Sequence, residues 1–118
     1  MIIIPVYNKA VRDKIPEIIQ KSGSECNIKV LSDPEFLPLL EKKLHEELEE
    51  YESSKSVEEL TDLIEIIYRI AELRGTPNEA LDKMRFAKRE KRGGFDKNLY
   101  LIDTTSARKE NSKEGVEA

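Results

Sequence analysis

The sequence holds one cysteine, one histidine and no tryptophan, with only three phenylalanines and four tyrosines beside them. A lone cysteine, Cys26, excludes an intramolecular disulfide and fits a reducing compartment. It has no second thiolate to ligate with, so it reads as a small buried hydrophobe. The lone histidine, His45, could join a metal shell, but on a helix it reads more simply as partly exposed structure. So few aromatics, with a net charge of −4, leave little for stacking on bases or gripping a phosphate backbone, which disfavours nucleic-acid binding. Long apolar runs are missing too. Met1–Pro5 is too short to span a bilayer, and the chain opens without the charged and apolar regions of a signal peptide, so the expected compartment is the cytoplasm.

What is present is charge. Of 118 residues, 37% are charged and 38% hydrophobic, with a mean hydropathy of −0.58. The length suits one small domain, expected over residues 1–103 with a disordered polar tail over 104–118. The balance suits a helix-rich protein whose core is thin, and a thin core is often completed by a partner chain. Between Asp33 and Glu65, twelve acids face only Lys42, Lys43 and Lys55, a balance of −9. Between Lys83 and Lys97, seven basic residues face Glu90 and Asp96, a balance of +5. Such a division is either self-complementarity or what a metal-bound polyphosphate requires, with carboxylates for the metal and cations for the remaining phosphate charge.

Along the chain, Ile2–Val6 reads as an edge strand or extended arm, and Val11–Lys21 as a helix with Pro16 near its first turn and Gly23 after its end. Cys26–Leu31 reads as a short strand, and Ser32-Asp33-Pro34 as a helix start. Leu37, Leu40, Leu44, Leu48 and Tyr51 then form one stripe of a long helix. After Ser53–Ser56, the Ser56/Glu59 capping-box pattern opens a second helix carrying Leu60, Leu63, Ile64, Ile67, Ile70 and Ala71, ended by Gly75 and Pro77. The short connection makes these helices an antiparallel hairpin. A further helix is expected from Asn78 to Lys91, with Leu81, Met84, Phe86 and Ala87 inward, stopped by Gly93-Gly94. Phe95–Ile102 is expected to be extended, with Leu99 and Ile102 packing back.

Two acidic patterns stand on either side of the hairpin turn: EExxE at Glu46–Glu50 and ExxD at Glu59–Asp62. Residues three apart share a helical surface, so Glu47 can meet one ion with Glu50, and Glu59 with Asp62. Projection at about 100° per residue puts Glu47 beside its leucine stripe and Glu59 among Ile66, Ile70 and Leu73. No cation nearby in sequence neutralises them, whereas a hard cation such as Mg²⁺ would. The alternative is a solvated glutamate-rich face, to which Glu49 and Glu52 belong, with Glu59 serving only as the cap partner of Ser56. Lys88 and Arg92 lie four apart on a helix face, followed by Gly93, Gly94 and Phe95, where backbone N–H groups can turn toward an anion. A basic helix end also complements the helix dipole without any ligand. Arg12 and Lys14 can reach a phosphate, or Arg12 can brace the acidic helices.

In that order, EExxE, ExxD and the Lys88–Arg92 step resemble the MazG-like, all-α nucleoside triphosphate pyrophosphatase superfamily. Tyr7–Pro16 and Arg92–Phe95 look like its small house-cleaning branch, similar to phosphoribosyl-ATP pyrophosphohydrolases, and the likeness covers residues 7 to 102. It implies a MazG-like helical bundle, completed as a homodimer or homotetramer. It also implies a Mg²⁺-dependent hydrolase, with Mn²⁺ as a substitute, that cuts a nucleotide between its α and β phosphates. Carried over, Glu47, Glu50, Glu59 and Asp62 ligate metal, and Glu46 binds a further ion or positions water. Arg12, Lys14, Lys88 and Arg92, with Gly93, Gly94 and Phe95, attend the substrate. Only eight residues separate Glu50 from Glu59, fewer than in many members of that superfamily, and this bears on the roles of Glu46 and Glu59. A non-enzymatic nucleotide-binding or adaptor bundle is the alternative.

Overall fold

A computed structural model of the chain describes residues 5–106. The expected arm at Ile2–Val6 and tail over 104–118 therefore lie mostly outside the described residues. Described are four helices, α1 (Ile15–Lys21), α2 (Asp33–Ser54), α3 (Val57–Leu73) and α4 (Asn78–Arg92). No strand occurs among the described residues. The chain divides into two compact units, Met1–Arg85 and Phe86–Ala118, with the division inside α4.

The first helix is shorter than the expected Val11–Lys21. A helix from Val11 would set Pro16 in its interior, where the ring clashes with the Arg12 carbonyl and donates nothing to it. The chain instead turns once, the Ile15 N–H donating to the Arg12 carbonyl at 3.1 Å, and α1 starts with Pro16 in its first turn. Gly23, at φ +92°, follows its end. The strand expected at Cys26–Leu31 is absent. A lone extended segment has no ladder to join, and Ile28 and Val30 are exposed. Cys26 is half-buried rather than buried.

The long helix α2 opens at Ser32. Its hydroxyl accepts from the Glu35 N–H, and the Glu35 carboxylate accepts from the Ser32 N–H, a reciprocal capping box that the sequence pattern had suggested only for Ser56. Hydrogen bonds from Ser32, first from its side chain and then from its backbone, hold the Glu35 carboxyl below the usual glutamate range. Lys55, in the left-handed region at φ 57°, ends α2, and its N–H donates to the Tyr51 carbonyl at 2.7 Å. Ser56 then caps α3 by accepting from the Glu58 N–H.

With only Lys55 and Ser56 between them, α2 and α3 fold back as antiparallel neighbours. Two ion pairs join the helices, Arg74 with Glu41 at 2.8 Å and Arg69 with Asp33 at 3.6 Å. The core is thin. Leu40 of α2, Ile66 of α3 and Ala10 of the N-terminal segment are buried, with Phe36, Leu39, Leu44, Ile70 and Leu73 packed around them. Ala10 thereby holds residues 7–15 against the hairpin. Tyr68 of α3 donates to Asp82 of α4 at 2.8 Å, a bond that, with some burial, pushes the phenol's pKa up. Of the inward set expected on α4, only Leu81 is half-buried; Met84, Phe86 and Ala87 are exposed. The stripes of α2 and α3 meet along Leu40, Leu44, Ile66 and Ile70, while Leu48, Leu60, Ile64 and Ile67 stay exposed.

In the second unit, the Gly93 N–H donates to the Arg89 carbonyl at 2.7 Å as α4 ends. Residues 98–106 carry no regular structure, and Leu99 and Ile102 are exposed rather than packed back.

Candidate metal centre

Glu47 and Glu50 stand one turn apart near the end of α2, and Glu59 stands in the first turn of α3. The two-residue connection brings them together, so that one carboxylate oxygen from each lies within 4.8 Å of the others. Glu47 and Glu59 are half-buried and Glu50 is exposed. Desolvation first, then the charges of Glu50, Glu47 and Asp62, and finally a hydrogen bond with Glu47, hold the Glu59 carboxyl above the usual glutamate range. Carboxylates crowded in this way are eased by a proton or by a cation.

The cap alternative for Glu59 does not hold. The Ser56 N–H donates to Ser54 Oγ at 3.1 Å, and the Ser56 hydroxyl takes the Glu58 N–H, so the Glu59 carboxylate has no part in the cap. Asp62 lies outside the close triad. Its Oδ1 accepts from Arg12 Nη2 at 2.6 Å, so Arg12 braces the acidic helices. Glu46 is exposed and also outside the triad. His45 pairs with Glu49 at 2.9 Å on the solvated face.

Sequence reasoning missed Lys43. Its Nζ lies 3.6 Å from Glu47 Oε1, and the two side chains are only 18% and 14% exposed. The expectation that no nearby cation faces the acids is thus corrected, and the four-residue step from Lys43 to Glu47 was the available signal. Two of the four motif acids carry a protein counter-charge, Glu47 through Lys43 and Asp62 through Arg12.

These groups open on a cleft of about 1010 Å³ between residues 7–15 and the hairpin, lined among others by Arg12, Lys14, Lys43, Glu47, Asp62 and Tyr68. Asn78, at the start of α4, also lines it, and its enclosed Oδ1 has no hydrogen-bond partner among the described residues. Glu47, Glu50 and Glu59 together offer hard oxygen donors that could hold a cation.

The remaining candidates belong to the second unit. Lys88 and Arg92 are exposed on α4, and Phe95 is exposed. Gly93 has a structural reason of its own, taking φ +84°. A Cβ on Gly94 would meet only the flexible guanidinium end of Arg89, which reaches Asp96 at 3.1 Å. No family model matches the chain, and neither a curated protein nor a solved structure matches it significantly.

Proposed function

We propose that the chain is a Mg²⁺-dependent nucleotide pyrophosphohydrolase that opens the bond between the α and β phosphates and releases a nucleoside monophosphate and pyrophosphate. The observation that carries this reading is the triad of Glu47, Glu50 and Glu59, whose carboxylate oxygens from both arms of the hairpin lie within 4.8 Å of one another. Glu47 is on the wall of a cleft that also holds Arg12, Lys14 and Lys43. Glu47, Glu50 and Glu59 hold the metal, with Asp62 as the fourth acid of the motif set. When bound, the ion lowers the pKa of a coordinated water and offsets charge on the phosphoryl oxygens. Glu46, exposed beside Glu47, accepts the proton of the attacking water. Lys14 and Lys43 offer ammonium groups to the anionic substrate. The same reading expects Mn²⁺ to substitute and the active species to be a homodimer or homotetramer in the cytoplasm, acting on non-canonical or surplus nucleotides.

The test is pyrophosphate release by the full chain with Mg²⁺ from a panel of nucleoside triphosphates and phosphoribosyl-ATP. Turnover of at least one substrate is expected, abolished by Glu47→Gln with the helical circular dichroism spectrum intact. No release from any of them would overturn the reading. The ion pair between Arg12 and Asp62 favours a second one, a nucleotide-binding bundle without chemistry, because it occupies a motif acid. Calorimetric binding of Mg²⁺ and nucleotide with no turnover would establish that alternative.

A further inference from the structure

The cleft has two chemically different ends. Toward the hairpin turn stand Lys43 with Glu47 and Arg12 with Asp62, cations beside acids. Its other end, where Asp33 of α2 meets Arg69 of α3, is lined by Phe36, Tyr68 and Asn78. Phe36 and Glu47 are eleven residues apart on α2, roughly 16 Å at 1.5 Å per residue. That length suits an extended nucleotide lying along the helices with its phosphates toward the turn.

The end remote from the turn is short of hydrogen-bond donors. Asn78 Oδ1 is enclosed and has no partner among the described residues. Asn78 and Asp82 stand one turn apart and share a face of α4. Tyr68 gives its only proton to Asp82 at 2.8 Å and has none left for Asn78. Arg69 directs Nη1 to Glu72 at 3.5 Å and Nη2 to Asp33 at 3.6 Å. A carbonyl oxygen withdrawn from bulk water without a donor keeps its whole desolvation cost, so it calls for a bound water or a ligand.

We infer that Asn78 reads the exocyclic amino group of a nucleobase, its Oδ1 accepting from that group, with Phe36 and Tyr68 as the aromatic wall for the ring. Asn78 as a whole is half-buried, and the terminal torsion of an amide is soft, so Oδ1 turns toward the cleft when a donor arrives. An amino group is the complement of this end because its other free atoms, the Tyr68 Oη lone pairs and the Glu72 carboxylate, also accept. Adenine, cytosine and guanine carry such a group. The inference rests on the reading of the cleft as a nucleotide site and adds a base preference to it.

Calorimetric binding to the full chain in Mg²⁺ compares AMP with purine riboside monophosphate, CMP with pyrimidinone riboside monophosphate, and GMP with IMP. The members of each pair differ only by an exocyclic amino group, and a monophosphate has no bond between α and β phosphates to cut. In at least one pair the amino-bearing nucleotide is expected to bind about tenfold more tightly. Asn78→Leu, close in shape but without an acceptor, is expected to remove that preference, and Asn78→Asp, which keeps an oxygen there, to retain it. Should Asn78→Leu lose the helical circular dichroism spectrum, Asn78→Ala takes its place. Parity within every pair, as when a bound water alone serves Oδ1, would overturn the assignment. So would no binding by any of these nucleotides, or a preference that survives removal of the acceptor. A base preference without pyrophosphate release from the triphosphates refutes the hydrolase reading alone, and release without the preference refutes the role of Asn78 alone.

Discussion

Arg12 and Asp62 are 50 positions apart, and their 2.6 Å contact ties the N-terminal segment to α3. A double-mutant cycle of Arg12→Ala and Asp62→Asn measures that tie directly. Unit charges about 4 Å apart attract by about 4 kcal/mol at an effective dielectric of 20 and about 1 kcal/mol in water. The side chains are 52% and 33% exposed, which places the pair toward the aqueous limit, and exposed pairs couple by about 0.2–1 kcal/mol. Ala10 is already buried two residues away, so the backbone that carries Arg12 is ordered with or without the pair, and the upper end of that range, about 1 kcal/mol, is expected. The single substitutions should be unequal. Arg12→Ala strands a carboxylate beside Glu59, whereas Asp62→Asn removes one of the charges that crowd it, so Arg12→Ala is the costlier. Urea unfolding of the four proteins in EDTA at low ionic strength gives the cycle, and repeating it in 0.5 M salt should shrink the coupling because both groups are screened. Millimolar Mg²⁺ should shrink it as well, if Asp62 is drawn toward the ion. A coupling of zero at low salt, or a larger cost for Asp62→Asn, would refute the reasoning.

Two further substitutions probe the site and the core. The folded-state pKa of Glu59 is raised, so the folded protein holds that proton more tightly than the unfolded chain, and stability falls as pH rises from the ordinary glutamate range through the raised value. Glu59→Gln should therefore be more stable than the native chain at neutral pH in EDTA and lose that advantage in acid, as read from thermal midpoints across pH; an advantage that persists below the ordinary range contradicts the assignment. Leu40, 6% exposed in a core with only two other buried residues among those described, should cost about 2–5 kcal/mol when cut to alanine. A loss under about 1 kcal/mol in denaturant unfolding would mean that the hairpin is not packed around it.

What could be read from the sequence is what depends on neighbours within a few residues. The helix start at Ser32–Pro34, the stop at Gly75 and a break within Ser53–Ser56 follow from capping and backbone preference, although the structure keeps Ser53 and Ser54 in α2 and turns on Lys55 and Ser56 alone. The pairing of Glu47 with Glu50 follows from the rise of one helix, and their approach to Glu59 follows from a connection too short to allow anything but return. The same local logic failed where a competing local bond won. Glu59 looked like a cap partner until Ser54 and Glu58 satisfied Ser56 instead. It failed at Cys26–Leu31 as well, because β-propensity cannot supply a second strand.

Tertiary structure decided which charges meet. No periodicity announces that Arg12 closes on Asp62, or that Ala10 rather than Val11 is buried between Leu40 and Ile66, since both depend on where residues 7–15 come to lie on the hairpin. It also decided which of two apolar sides of α3 is covered. The sequence shows a helix apolar over more than half its circumference; only packing determines that Ile66 is enclosed while Ile64 and Ile67 are left toward solvent. Spacing along a helix is a property of one backbone, and burial is a property of everything that backbone touches.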